Sequence, residues 1–153
     1  MSTNSRSNGS EPAIYLVTQP QYSSRLLKSS CLTAFSALSA ARHDLWMCSL
    51  IATLVLLTSI NYWRYPTKGW RRNMDMFAVA GGLVYHLYLS LSCQVQFYQI
   101  LYYVLIANSI FCYFKSITCP NKNISYLWHI GMHAVGNMGT LALYYGLSHG
   151  FHG

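Results

Sequence analysis

The stretch with the most evident chemistry is YLWHIGMH, residues 126 to 133, in which His129 and His133 stand four residues apart. On a helix, residues i and i+4 project from one face about 6 Å apart, so two imidazoles can chelate one ion while another helix supplies a third ligand. Zinc accepts His nitrogens and a carboxylate oxygen and keeps an open position for an activated water. The candidate carboxylate is Asp75 in RRNMDM, as a ligand, as the acceptor of an imidazole N–H, or as the base for that water. Ser59 and Asn61 in TSINYW are candidates to hydrogen-bond a developing oxyanion. Each residue also has a purely structural use. Histidines near a helix end cap, snorkel or bond a neighbouring helix, an Asp after Arg71 and Arg72 caps a helix or pairs with them, and a serine bonds its own backbone.

Such residues need elements to hold them, and composition says which. The chain is 53% hydrophobic and 8% charged, where a soluble domain carries about 25% charged residues. Beyond Arg72 the only charged side chains are Asp75, Lys115 and Lys122, a distribution that points to a membrane. A spanning helix needs roughly 20 apolar residues at about 1.5 Å each. Residues 45–63 supply one span, the uncharged run 76–114 divides at SLSCQVQ into 76–91 and 97–114, and 126–147 supplies a fourth. Residues 26–41, LLKSSCLTAFSALSAA, form a short span, a re-entrant helix or an interfacial amphipathic one. The expected fold is therefore all-α, a polytopic helical membrane bundle with four transmembrane helices and a candidate fifth near residues 26–43. Residues 1–24 read as a disordered polar tail, 25–148 as the transmembrane domain and 149–153 as a short tail.

Basic residues set the orientation, because Lys and Arg accumulate on the cytoplasmic side. Five spans with the N-terminus inside leave Arg42 as the single basic residue outside, a sharper division than four spans give. Loops 64–72 and 115–125 are then cytoplasmic and the C-terminus is not. The net charge of +7 reflects this topology and contact with anionic lipid headgroups; it is no sign of nucleic-acid binding. The expected partners are membrane lipids, with a second copy or another membrane protein as further candidates. In this topology Ser59 and Asn61 end one span, Asp75 opens the next, and His129 and His133 open the last, all at the cytoplasmic level. Ionisable groups at membrane depth are costly and usually face the bundle interior, so this shared level marks a candidate site.

The remaining polar and small residues read differently. His86 lies on the Asp75 stripe but about 16 Å deeper, and is expected to hydrogen-bond in the interior. Asn137, Thr140 and Tyr144 continue the face of the histidine pair, favouring a water-containing cavity. Gly131, Gly136, Gly139 and Ala134 allow close helix approach. Cys31, Cys48, Cys93, Cys112 and Cys119 lack CxxC spacing and read as free thiols. The Asn8 and Asn123 glycosylation patterns fall on the cytoplasmic side.

The order of these pieces resembles the CREST superfamily, which includes alkaline ceramidases, progestin and adipoQ receptors and Per1-like proteins. Ser59 in TSINYW, Asp75 in RRNMDM, and Trp128, His129 and His133 in LWHIGMH carry the resemblance. It implies a seven-span membrane hydrolase of lipid amides or esters, with zinc held by three histidines beside Ser and Asp. Two of those histidines match here. The first, expected one helical turn after Ser59, is replaced by Trp63, and the chain has at most five spans. The expected site is accordingly His129, His133 and Asp75 around a metal, with Ser59 and Asn61 beside it. The rival expectation is a non-enzymatic membrane scaffold or assembly protein whose polar residues tie helices together.

Overall fold

The computed structural model describes residues 20–150. They form six helices: α1 (Pro20–Ser30), α2 (Thr33–Arg42), α3 (Trp46–Arg64), α4 (Trp70–Ser90), α5 (Gln96–Thr118) and α6 (Lys122–Gly150). Of the expected polar tail, residues 1–19 lie outside the described residues, and Pro20 to Ser24 belong to α1. The C-terminal residues 151–153, His152 among them, also lie outside.

The helix boundaries have local causes. Residues 26–41 fold as two short helices, because Ser29 and Ser30 both donate to the Leu26 carbonyl and Cys31 N–H turns to Lys28 instead. Serine back-bonding of this kind bends a helix. Between α2 and α3, Asp44 takes the left-handed conformation at φ 58°, which Asp tolerates better than most residues. Gly69 precedes α4 at φ 145°, a conformation open to glycine and strained for a residue with a Cβ. After α5, Pro120 holds Cys119 in an extended conformation, and the Asn121 side chain accepts the Asn123 N–H to start α6.

Two helices, α3 and α5, are long and apolar enough to cross a membrane, and most of each is uncovered. Of the four spans expected, these two qualify among the described residues, and α4 and α6 do not. The polar residues on α4 and α6 account for the difference: α4 opens with Arg71, Arg72, Asn73 and Asp75, and α6 carries Lys122, Asn123, three histidines and Asn137. Large apolar side chains nevertheless face outward on α4 as well, Phe77 with 76% of its surface exposed and Tyr88 with 72%.

Helices α5 and α6 pack antiparallel along their length. A Cβ on Gly136 would meet Ser109 Oγ at 3.0 Å, and one on Gly146 would meet Tyr98 Cβ at 2.6 Å. The approach at Gly146 leaves no room for a side chain. Helices α3 and α4 form a second antiparallel pair, with Gly82 against Ile51 and Asp75 against Ser59. Helices α1 and α2 lie across both pairs: Ser23 bonds the Trp63 carbonyl of α3, Tyr22 stacks on Tyr126 of α6, and Ser36 reaches Asn137 and Thr140. Helix α4 meets α6 chiefly where His86 meets Tyr144. The two pairs also meet where Trp63 of α3 packs on His129 of α6 and where Ser90 of α4 bonds Gln99 and Tyr103 of α5, and a cavity lies between them.

Candidate functional site

The cavity has a volume of about 680 Å³ and is partly open to the exterior. This lies within the usual range of small-molecule sites, about 300 to 1,000 Å³. Ile51 and Val55 of α3, Val79 and Leu83 of α4, and Ile106 and Ile110 of α5 provide much of the apolar wall. Asp75, His129 and His133 line one end, together with Trp63, Arg72 and Lys122. His86, Tyr102 and Tyr144 line the other. From His133 to Tyr144, α6 advances about 16 Å, so the two ends are well separated.

At the first end α3 and α4 are joined through Asp75. Ser59, which is 2% exposed, donates to Asp75 Oδ1 at 2.5 Å, and Thr58 Oγ1 approaches the same oxygen at 3.3 Å. This pairing places the expected Ser59 and Asp75 side by side. It also uses Thr58, which sequence spacing did not single out because only the rotation of α3 decides which of two adjacent hydroxyls faces Asp75. Asn61 is half-buried and, among the described residues, does not line the cavity.

Across the cavity, His129 and His133 meet edge to face with ring centroids 5.1 Å apart, as their i, i+4 spacing requires. Ser116 at the end of α5 donates to the Tyr113 carbonyl, so its oxygen is free to receive the His129 Nδ1–H at 3.4 Å, a long contact. Trp63 packs edge-on against His129 with centroids 5.2 Å apart. Three buried side-chain polar atoms have no partner among the described residues: Trp63 Nε1, Tyr102 Oη and His133 Nε2. All three belong to residues that line the cavity. A buried polar atom without a partner costs about 1–3 kcal/mol, so their shared location calls for a ligand or for water.

The histidine at the other end is satisfied. His86 is 5% exposed, with Nδ1 at 2.6 Å from the Gly82 carbonyl and Nε2 at 2.7 Å from Tyr144 Oη. A carbonyl can only accept, so Nδ1 carries the proton and Nε2 accepts from the tyrosine hydroxyl. Midway, Ser36 donates to Asn137 Oδ1 at 2.6 Å and lies 3.0 Å from Thr140 Oγ1. The polar stripe expected below the histidine pair therefore exists and faces the cavity.

A zinc centre of the hydrolytic kind takes three protein ligands and a water. His129 and His133 supply two nitrogens on one face. Among the described residues no three His, Cys, Asp or Glu side chains gather closely enough to hold a metal. Asp75 is engaged by Ser59 and Thr58, and the flank of His129 is occupied by Trp63. Asp75 and the two histidines thus share a cavity but do not form one ligand cluster, and the residues as arranged do not fit a three-ligand zinc site. All five cysteines are free. Comparison with protein-family models, curated proteins and solved structures finds no match.

Proposed function

We propose that this chain is a multi-pass membrane protein whose cavity binds a membrane amphiphile, with Asp75, His129 and His133 beside its polar group. The chemistry this placement serves best is hydrolysis of a lipid amide or ester, as the resemblance to the CREST superfamily implies. The observation that carries the reading is the cavity itself: an apolar wall with titratable side chains gathered at one end. Asp75, oriented by Ser59 and Thr58, is the group positioned to take a proton from water, and His133 is positioned to hydrogen-bond the acyl oxygen. In the membrane, α3, α4, α5 and α6 span, the paired α1 and α2 make the fifth crossing, and loops 64–72 and 115–125 face the cytoplasm.

The test is purified protein in lipid nanodiscs incubated with acyl-amide and acyl-ester lipids, with fatty-acid release measured by mass spectrometry. The expected result is release that Asp75→Asn abolishes. Absence of release together with absence of any co-purifying amphiphile would overturn the proposal. The rival scaffold reading is favoured by the cross-helix bonds of Ser36, Asn137, Thr140, His86 and Tyr144, which tie α2 and α4 to α6. It expects Asp75→Asn to alter thermal stability alone.

A further inference from the structure

We infer, on the reading above that α5 crosses the bilayer, that the outer face of α5 around Asn108 is the contact through which two copies of this chain pair in the membrane. By helix rise Asn108 lies about 18 Å from Gln96 and about 15 Å from Thr118, near the middle of α5 and so of a hydrocarbon core about 30 Å thick. It is exposed and does not line the cavity. Its neighbour Ser109 turns inward and donates to the Met132 carbonyl of α6 at 3.0 Å, whereas Asn108 turns outward. Asn108 Nδ2 donates to the Val104 carbonyl of its own helix at 2.8 Å, which fixes the orientation of the carboxamide, because a carbonyl only accepts. Oδ1 and the second N–H have no partner among the described residues. Hydrocarbon offers them none, and in membrane bundles an Asn bonds across to another helix.

The surroundings of Asn108 form a stripe suited to a second helix. Phe97, Val104 and Phe111 recur on that side with the heptad spacing of paired helices, exposed by 67%, 51% and 51%. Trp128 of α6 meets Phe111 edge-on with ring centroids 5.9 Å apart and widens the stripe. This gives a place to Trp128, the residue of LWHIGMH next to His129, which does not line the cavity. Symmetry names the occupant. Two copies inserted the same way round pair about an axis along the membrane normal, so each residue meets residues of its own depth. Asn108 then meets Asn108 of the partner subunit, and a carboxamide carries both donor and acceptor. An unrelated helix would need a polar residue at that one depth, and a second copy already has it. A single Asn in such a seam also sets its register. The stripe ends at Lys115, at the membrane edge, where the two ammonium groups turn apart towards headgroups.

The experiment uses full-length protein labelled at its N-terminus, half with a donor and half with an acceptor fluorophore, in phosphatidylcholine vesicles over a range of protein-to-lipid ratios. Energy transfer is expected to follow the concentration dependence of a dimer. Asn108→Leu suits a lipid-facing position and is expected to raise the dissociation constant about tenfold, because the bond it removes is made twice about the axis. Asn108→Gln keeps the carboxamide and is expected to cost less. Thr53→Leu removes a hydroxyl near the middle of the outer face of α3 and is expected to leave pairing unchanged. A benzophenone amino acid in place of Val104 is expected to crosslink to a second copy on irradiation, and one in place of Leu57 on the outer face of α3 to label lipid alone. If Asn108→Leu does not fold, Val104→Trp, which crowds the same stripe, serves with the same expected loss. Wild-type protein that stays monomeric over the whole range, or a dimer that Asn108→Leu leaves as tight, overturns the proposal. Crosslinking between copies from Leu57 and not from Val104 puts the contact on α3 and overturns it too.

Discussion

Two histidines line the same cavity and differ in how their ring nitrogens are partnered. At the deep end, His86 has a partner for each ring nitrogen, the Gly82 carbonyl and the Tyr144 hydroxyl. At the other end, His133 Nε2 and the Trp63 indole nitrogen are buried and unpaired, each on a ring packed against His129. A satisfied polar pair between helices holds the fold together. An unsatisfied one costs free energy in the folded protein and is relieved by something that binds. On the proposed reading the difference gives His86 an architectural role and His133 one in recognition, although residue type alone would treat them alike.

Mutations can break this contrast in order of size. The largest effect is expected for His86→Leu, which strands the Gly82 carbonyl and the Tyr144 hydroxyl together. Chemical unfolding in detergent is expected to register a loss of about 3 kcal/mol, with the α4 to α6 contact opening first. Next comes Gly146→Ala, where the new methyl would meet Tyr98 and Cys93; repacking α5 against α6 is expected to cost about 2 kcal/mol by the same assay. Ser59→Ala leaves Asp75 with the longer Thr58 contact, at an expected cost of about 1 kcal/mol. Lipid hydrolysis in nanodiscs should fall further than that stability change explains. The smallest effect belongs to Tyr102→Phe. Its hydroxyl is buried without a partner, so removing it is expected to leave ligand-free stability unchanged within about 0.5 kcal/mol or to raise it. A loss as large as that of His86→Leu would mean that Tyr102 has a structural partner.

What the sequence made legible was depth. Helical rise put Ser59, Asp75, His129 and His133 at one level and His86 at another, and in the structure Asp75, His129, His133 and His86 line one cavity, with Ser59 bonded to Asp75. Punctuation was legible too: SLSCQVQ separates α4 from α5, and Pro120 with Asn121 separates α5 from α6. Rotation about each helix axis was not, because packing against distant residues sets it. Thr58 shares Asp75 with Ser59 for that reason, and Asn61, three residues further along α3, stays away from the cavity. The packing of Trp63 on His129 was hidden likewise, since it joins residues far apart in sequence. The interruption at Cys31 depends on two serines choosing the Leu26 carbonyl over solvent, a choice their burial enforces.

The most direct measurement is photocrosslinking of the reconstituted protein with a fatty acid that carries a diazirine in mid-chain, followed by peptide mapping. The account predicts label at Ile51, Leu83 and Ile106, competed away by an excess of unlabelled fatty acid. Label confined to outward-facing residues such as Phe77 and Tyr88, with none on the cavity wall, would contradict it.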